Sequence, residues 1–315
     1  MTTFTAGATQ TFAARTPEDV LAAVPVVLGF VPEESVVMLT FGAEHPFHGR
    51  LDLPVTGAER QAAAEALVGP AVRHGVGSVL FVLYGDDPAQ VRSCATTLVS
   101  AFTDEAIEVI DVLRSDGRCW FEVPVDGSSR EAPGTPYDVS GHLFTAEAVA
   151  SGRVTRSSRT ELAATVAADP EGCAAVGEAA RELAPHDLLT EGAAVRAVVT
   201  RWAAGLGPPD ALTFARLLVA LRDAGVRDAV LSSADRREAE LQLPVWSALV
   251  RSAPVDLVAP AASVLAFLAW LAGDGALAWC ALERAAEGIP PCTLADRVAE
   301  ALEQALPPAV WEQRR

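Results

Sequence analysis

A continuous apolar run, Ser78 to Tyr84 (SVLFVLY), is the strongest constraint on the N-terminal half. A strand that offers no alternate polar face to water must be covered on both sides, so this run predicts a central strand with helices above and below it. The flanking punctuation supports that layout. Thr16-Pro17-Glu18-Asp19 supplies a capping side chain, a proline at the first helical position and acids in the first turn, and Gly29 closes that helix near Leu28. Ser35 to Phe41 and His48 to Leu53 read as an antiparallel pair around a polar bend. Thr56-Gly57-Ala58-Glu59 is a capping box for a helix to about His74, expected to be disturbed at Gly69-Pro70 and stopped by Gly75. After the central run, Asp87-Pro88 starts a helix to about Phe102. Ile107 to Leu113 returns as a strand, and Ser115-Asp116-Gly117 turns Cys119 to Val123 back onto it. The expected domain is α/β with a mixed sheet of about five strands, preceded by a loose start.

From Asp126 to Tyr137 the chain is rich in Gly, Ser and Pro, which suits an exposed loop or hinge. Apolar residues beyond it recur at helical spacing, as in Leu212, Ala215, Leu218 and Val219, or Val264, Phe267, Leu268 and Leu271. Ser158-Arg159-Thr160-Glu161, Asp169-Pro170 and Pro209-Asp210 mark helix starts, while Gly225, Gly273 and Gly288 fit stops. The expectation is an α/β domain over 1–145 and an all-α domain over 146–315, the latter an irregular bundle of roughly eight short helices. Trp270 and Trp279 are expected to pack in a core or a subunit interface.

Composition narrows the chemistry. The formal charge is −17, from 24 Lys+Arg against 41 Asp+Glu, and every basic residue is an arginine. A P-loop lysine, a pyridoxal Schiff base and a lysine general base are therefore excluded. So acidic a chain repels phosphate backbones and anionic lipid at long range, which argues against nucleic acid and membrane as partners. Cys94, Cys119, Cys173, Cys280 and Cys292 are odd in number and lack zinc-binding spacing, so they read as reduced thiols in the cytoplasm. The N-terminus lacks the pattern of a secretory signal, and the uncharged stretch Leu257 to Gly273 is too short and too rich in Ala to span a bilayer.

The run from Arg15-Thr16-Pro17-Glu18-Asp19 to Pro25, continuing through Leu28-Gly29-Phe30-Val31-Pro32 to Ser35-Val36-Val37, resembles the opening of an actinobacterial family, the domain of unknown function 4192. Further matches lie at Tyr84-Gly85-Asp86-Asp87, at Asp111-Val112-Leu113-Arg114 with Gly117 and Trp120, and from Trp270 to Ala278. The resemblance covers nearly the whole chain. It implies an actinobacterial cytoplasmic protein and no particular activity. Many members of that family carry clustered cysteines after the tryptophan of the second hairpin, whereas Phe121 to Pro133 holds none here.

Candidate site residues are sparse. Asp86 and Asp87 follow the central strand at its carboxyl end, where open sheets place ligands, although an acid before Pro88 is also the ordinary helix cap. His48, Arg50 and Asp52 share one strand face, either as a pocket wall or as a solvated edge with a weak ion pair. Arg114 and Arg15 read as braces between loops, Arg114 being also a candidate anion contact. Arg153, Arg156 and Arg159 form a basic cluster open to an anion or an acidic partner. His45 and His48 are not spaced for one metal ion, and Gly75-Val76-Gly77 precedes its strand, the wrong end for a dinucleotide. No metal or cofactor is called for. The leading expectation is a non-catalytic binding or adaptor module whose helical half meets another protein or a second copy. The alternative is a small-molecule-binding protein, or a metal-assisted phosphate-ester hydrolase, using a cleft beside Asp86 and Asp87 with Arg50 or Arg114 facing the anion.

Overall fold

The computed structural model describes residues 2–6, 10–124, 133–150, 154–184, 192–232 and 234–312. They divide into two compact units, 1–159 with 303–307, and 160–302 with 308–315.

In the first unit a hairpin of β1 (Thr2–Ala6) and β2 (Gln10–Ala14) precedes the main sheet, where the sequence suggested a loose start. Thr and Phe make up four of the five residues of β1 and recur in β2, residues that favour strands even in runs this short. Helix α1 (Pro17–Leu28) begins at the capping box of Thr16 with Asp19 and ends on Gly29, whose φ of 77° is the left-handed conformation that a side chain would disfavour. Then come β3 (Ser35–Phe41), β4 (His48–Asp52), α2 (Gly57–Arg73), β5 (Ser78–Tyr84), α3 (Pro88–Asp104), β6 (Glu108–Ser115), β7 (Cys119–Glu122), β8 (Thr135–Pro136) and α4 (Leu143–Ala150). Pro70 does not break α2, because it removes only its own N–H, and its carbonyl still accepts from the His74 N–H at 3.0 Å.

The sheet has the order β4-β3-β5-β6-β7-β8 and is mixed, as expected, with one strand more than anticipated. The addition is the two-residue β8, too short to read by alternation. β5 runs antiparallel to β3 and parallel to β6. β4 therefore runs parallel to β5 with β3 between them, and α2 makes that crossover while α3 joins neighbours. Both faces of β5 are buried. Leu80, Val82 and Tyr84 pack with α1 and Phe144, whereas Val79, Phe81 and Leu83 pack with α2 and α3. Phe81 meets Phe102 edge to face at 5.1 Å between centroids.

The outer strand limits its own pairing. Leu53 donates its N–H to the Glu34 carbonyl at 2.8 Å, which turns the backbone groups of the alternate residues 48, 50 and 52 away from β3. Pro46 and Pro54 bracket them on the same even-numbered series and have no N–H to extend a ladder.

Ten helices, α5 to α14, are described beyond residue 158, more than the eight expected. They are α5 (Arg159–Ala164), α6 (Pro170–Glu182), α7 (Gly192–Ala203), α8 (Ala211–Ala220), α9 (Ala224–Leu231), α10 (Arg236–Arg251), α11 (Val258–Ala272), α12 (Gly275–Ala286), α13 (Thr293–Glu303) and α14 (Ala309–Glu312). Gly225 is not a stop: it lies in the first turn of α9, which Asp223 caps by accepting from the Val226 N–H. At the centre is α11, buried on every side from Val258 to Leu271 except at Pro260. Among the described residues no helix is long and apolar enough to cross a membrane. Trp270 is buried, and Trp279 is exposed on α12.

Phe81→Ala should lower unfolding stability by about 3–5 kcal/mol, the range for deleting a buried aromatic. Val55→Ala, at an exposed loop residue, should stay within about 0.5 kcal/mol in the same urea titration.

Candidate functional site

The carboxyl ends of β5 and β6 carry a line of polar residues in cross-strand register: Asp52, Ser35, Tyr84, Ser115 and Trp120. All but the buried Tyr84 are drawn into bracing contacts. Arg50 Nε donates to Ser35 Oγ at 2.9 Å and its Nη1 pairs with Asp52 at 2.6 Å, a pair whose carboxylate is largely in water. Ser115 Oγ and Tyr137 Oη lie 2.7 Å apart, and Trp120 Nε1 donates to Glu18 at 2.9 Å. Burial pushes the Tyr84 phenol well above its ordinary range, with Tyr137 adding to the shift.

His142 completes this end. Its Nδ1 accepts from the Phe144 N–H at 3.2 Å, so the proton resides on Nε2, which faces Asp19 Oδ1 at 3.0 Å. Burial raises the Asp19 carboxyl, but the Arg15 N–H, His142 and the Thr16 N–H together outweigh it and hold it below the usual carboxylate range. With both imidazole nitrogens engaged, the pair fastens α4 to α1.

The residues singled out in the sequence are distributed as follows. Asp86 and Asp87 are both exposed, and Asp87 accepts from the Ala89 N–H at 2.8 Å as the cap of α3. Arg114 is 4% exposed, stacks 3.7 Å from the Phe121 ring centroid and donates to the Gly85 carbonyl at 3.4 Å, bracing the loop after β5. A void beside it, between Pro88, Val91, Glu122 and Pro124, has room for about one water at ≈ 10 Å³. His48, Arg50 and Asp52 do share one face, opposite Leu39, Val37 and Ser35. Arg156 engages through its backbone, its N–H donating to Gly29 and its carbonyl accepting from Val31. Arg159 opens α5, and Arg153 lies outside the described residues. Among the described residues no three His, Cys, Asp or Glu side chains gather closely enough to hold a metal ion. Sequence reasoning missed Ser115, Tyr137, Glu18 and His142, whose partners are far apart along the chain and leave no local signal.

In the second unit two loops are locked together, those following α10 and α12. The Ile289 N–H donates to the Val255 carbonyl at 3.0 Å. Arg284, its side chain only 7% exposed, donates to the Ala253 carbonyl at 3.2 Å and pairs with Glu287, tying one loop to the other. Cys173 Sγ lies 3.3 Å from the same Ala253 carbonyl, and burial pushes its thiol pKa up. Gly288 is pressed against the start of α11, where a Cβ would come within 2.7 Å of the Ala259 Cβ and 2.8 Å of its backbone nitrogen. This bracing leaves Val255 and Ile289, joined through their backbones, 54% and 71% exposed.

Two outcomes follow. Gly288→Ala should destabilise the protein by about 1–3 kcal/mol, because backbone atoms cannot yield to the added methyl. Asp19 is depressed in the folded state, so its contribution is full above pH ~4 and is lost as pH falls through the folded value. The stability gap between wild type and Asp19→Asn should be about 1 kcal/mol at neutral pH and close below pH ~4.

No curated protein and no solved structure matches this chain. A family model described as "Domain of unknown function (DUF4192)" matches residues 17–309, which takes in both units and the polar end of the sheet. The chain belongs to that family.

Proposed function

We propose that this protein is a non-catalytic binding or adaptor module of the cytoplasm, which grips a protein partner through the locked loops bearing Val255 and Ile289. One observation carries the reading: two large aliphatic side chains are held in water by loops that a buried arginine and a compressed glycine keep in place. Aliphatic surface left in water adds no burial energy to the isolated chain, and burying an arginine is costly unless it is paired and hydrogen-bonded. Apolar groups fixed in advance on a rigid support lose little entropy on docking, which is what a contact hot spot requires. Five free thiols fit a reducing compartment. A small-molecule or phosphate-ester site beside Asp86 and Asp87 has less support, because the Asp87 carboxylate caps α3 and the neighbouring void is water-sized.

A photo-crosslinking amino acid placed at position 289 in the native cell should give a discrete protein adduct, and one placed at exposed Leu241 on α10 should not. Equal labelling from both positions would overturn the reading.

A further inference from the structure

Resting on that reading, we infer that the partner presents a cationic amphipathic segment, with aliphatic side chains that cover Val255 and Ile289 and basic side chains that meet an acidic rim. Asp256 is exposed directly beside Val255. Glu287 lies two residues before Ile289, with its carboxylate largely in water. Glu283 lies one helical turn before Glu287 and is exposed. Arg251 is the exposed base nearest in sequence to Val255, since the Arg284 guanidinium is buried and committed to Ala253 and Glu287. The rim is therefore net acidic, on a chain that already carries −17. A second copy would bring the same net-acidic rim against itself, an arrangement that opposes self-association here. A basic partner gains steering toward the site and pairs at its rim, while the apolar centre supplies the hold.

The test uses the full-length protein and two fluorescent helical peptides of about 14 residues, roughly four turns, one built from Leu and Arg and one from Leu and Glu. Anisotropy titrations are run at roughly 50 and 300 mM salt, where screening differs most. The Leu/Arg peptide should bind and the Leu/Glu peptide should not. Ile289→Ser should weaken binding about tenfold, a loss of about 1.4 kcal/mol. Asp256→Lys should weaken it several-fold at low salt only, and Leu241→Ser should leave it unchanged. Thermal melts confirm that the surface variants remain folded.

Each other result has a definite meaning. If the Leu/Glu peptide binds in an Ile289-dependent way, or the Leu/Arg peptide does not bind, the charge assignment is overturned and the contact surface stands on its crosslinking test. If the Leu/Arg peptide binds equally to wild type, Ile289→Ser and Leu241→Ser, the attraction is non-specific and both the partner class and the contact surface fall. A dimer by sedimentation that Ile289→Ser dissolves would make a second copy the occupant instead.

Discussion

Burial of β5 on both faces is the constraint on which the first unit depends. Because Val79, Phe81 and Leu83 point one way and Leu80, Val82 and Tyr84 the other, the strand needs a helical layer on each side. α2 and α3 fill one layer and α1 with α4 the other. That requirement also gathers chain ends. The carboxyl ends of β5 and β6, the start of α1 and the start of α4 meet where Ser115, Tyr137, Trp120, Glu18, Asp19 and His142 are bonded. The helical unit solves the same problem with α11, an apolar helix that neighbouring helices enclose.

Much of this was legible in the residues. The bounds of α1, β3 and β5 follow from capping and apolar runs, since both are local signals read over a few residues. What escaped was non-local or very short. β8 has two residues and no pattern of its own, and the break between α8 and α9 comes from the Asp223 cap, whereas Gly225 looked like the stop. The candidate site divides along the same line. The Asp87 cap and the Arg50 to Asp52 pair were readable because their partners are close in sequence. Trp120 with Glu18, and His142 with Asp19, join residues more than a hundred positions apart and had no trace in the chain. Neither did the locked loops, because nothing in Val255 or Ile289 taken alone distinguishes a displayed aliphatic from a core residue.

The two polar features differ in kind. At the carboxyl end of the sheet, acids and arginines begin, end and brace secondary structure, and their hydrogen bonds are turned inward on the fold. At the loops after α10 and α12 a buried arginine does the bracing and two aliphatic side chains face water. A surface of that second kind is organised for contact, because rigidity is supplied before any partner arrives.

Amide hydrogen exchange at residues 253–257 and 287–292 tests this most directly. If the loops are locked as Arg284, Gly288 and the Ile289 to Val255 bond require, the Ile289 amide exchanges as slowly as amides in the adjoining turns of α10 and α12, despite its exposed side chain. Exchange of that amide at the rate of an unprotected peptide would contradict the account, since the aliphatic pair would then sit on loose chain and offer no preformed surface.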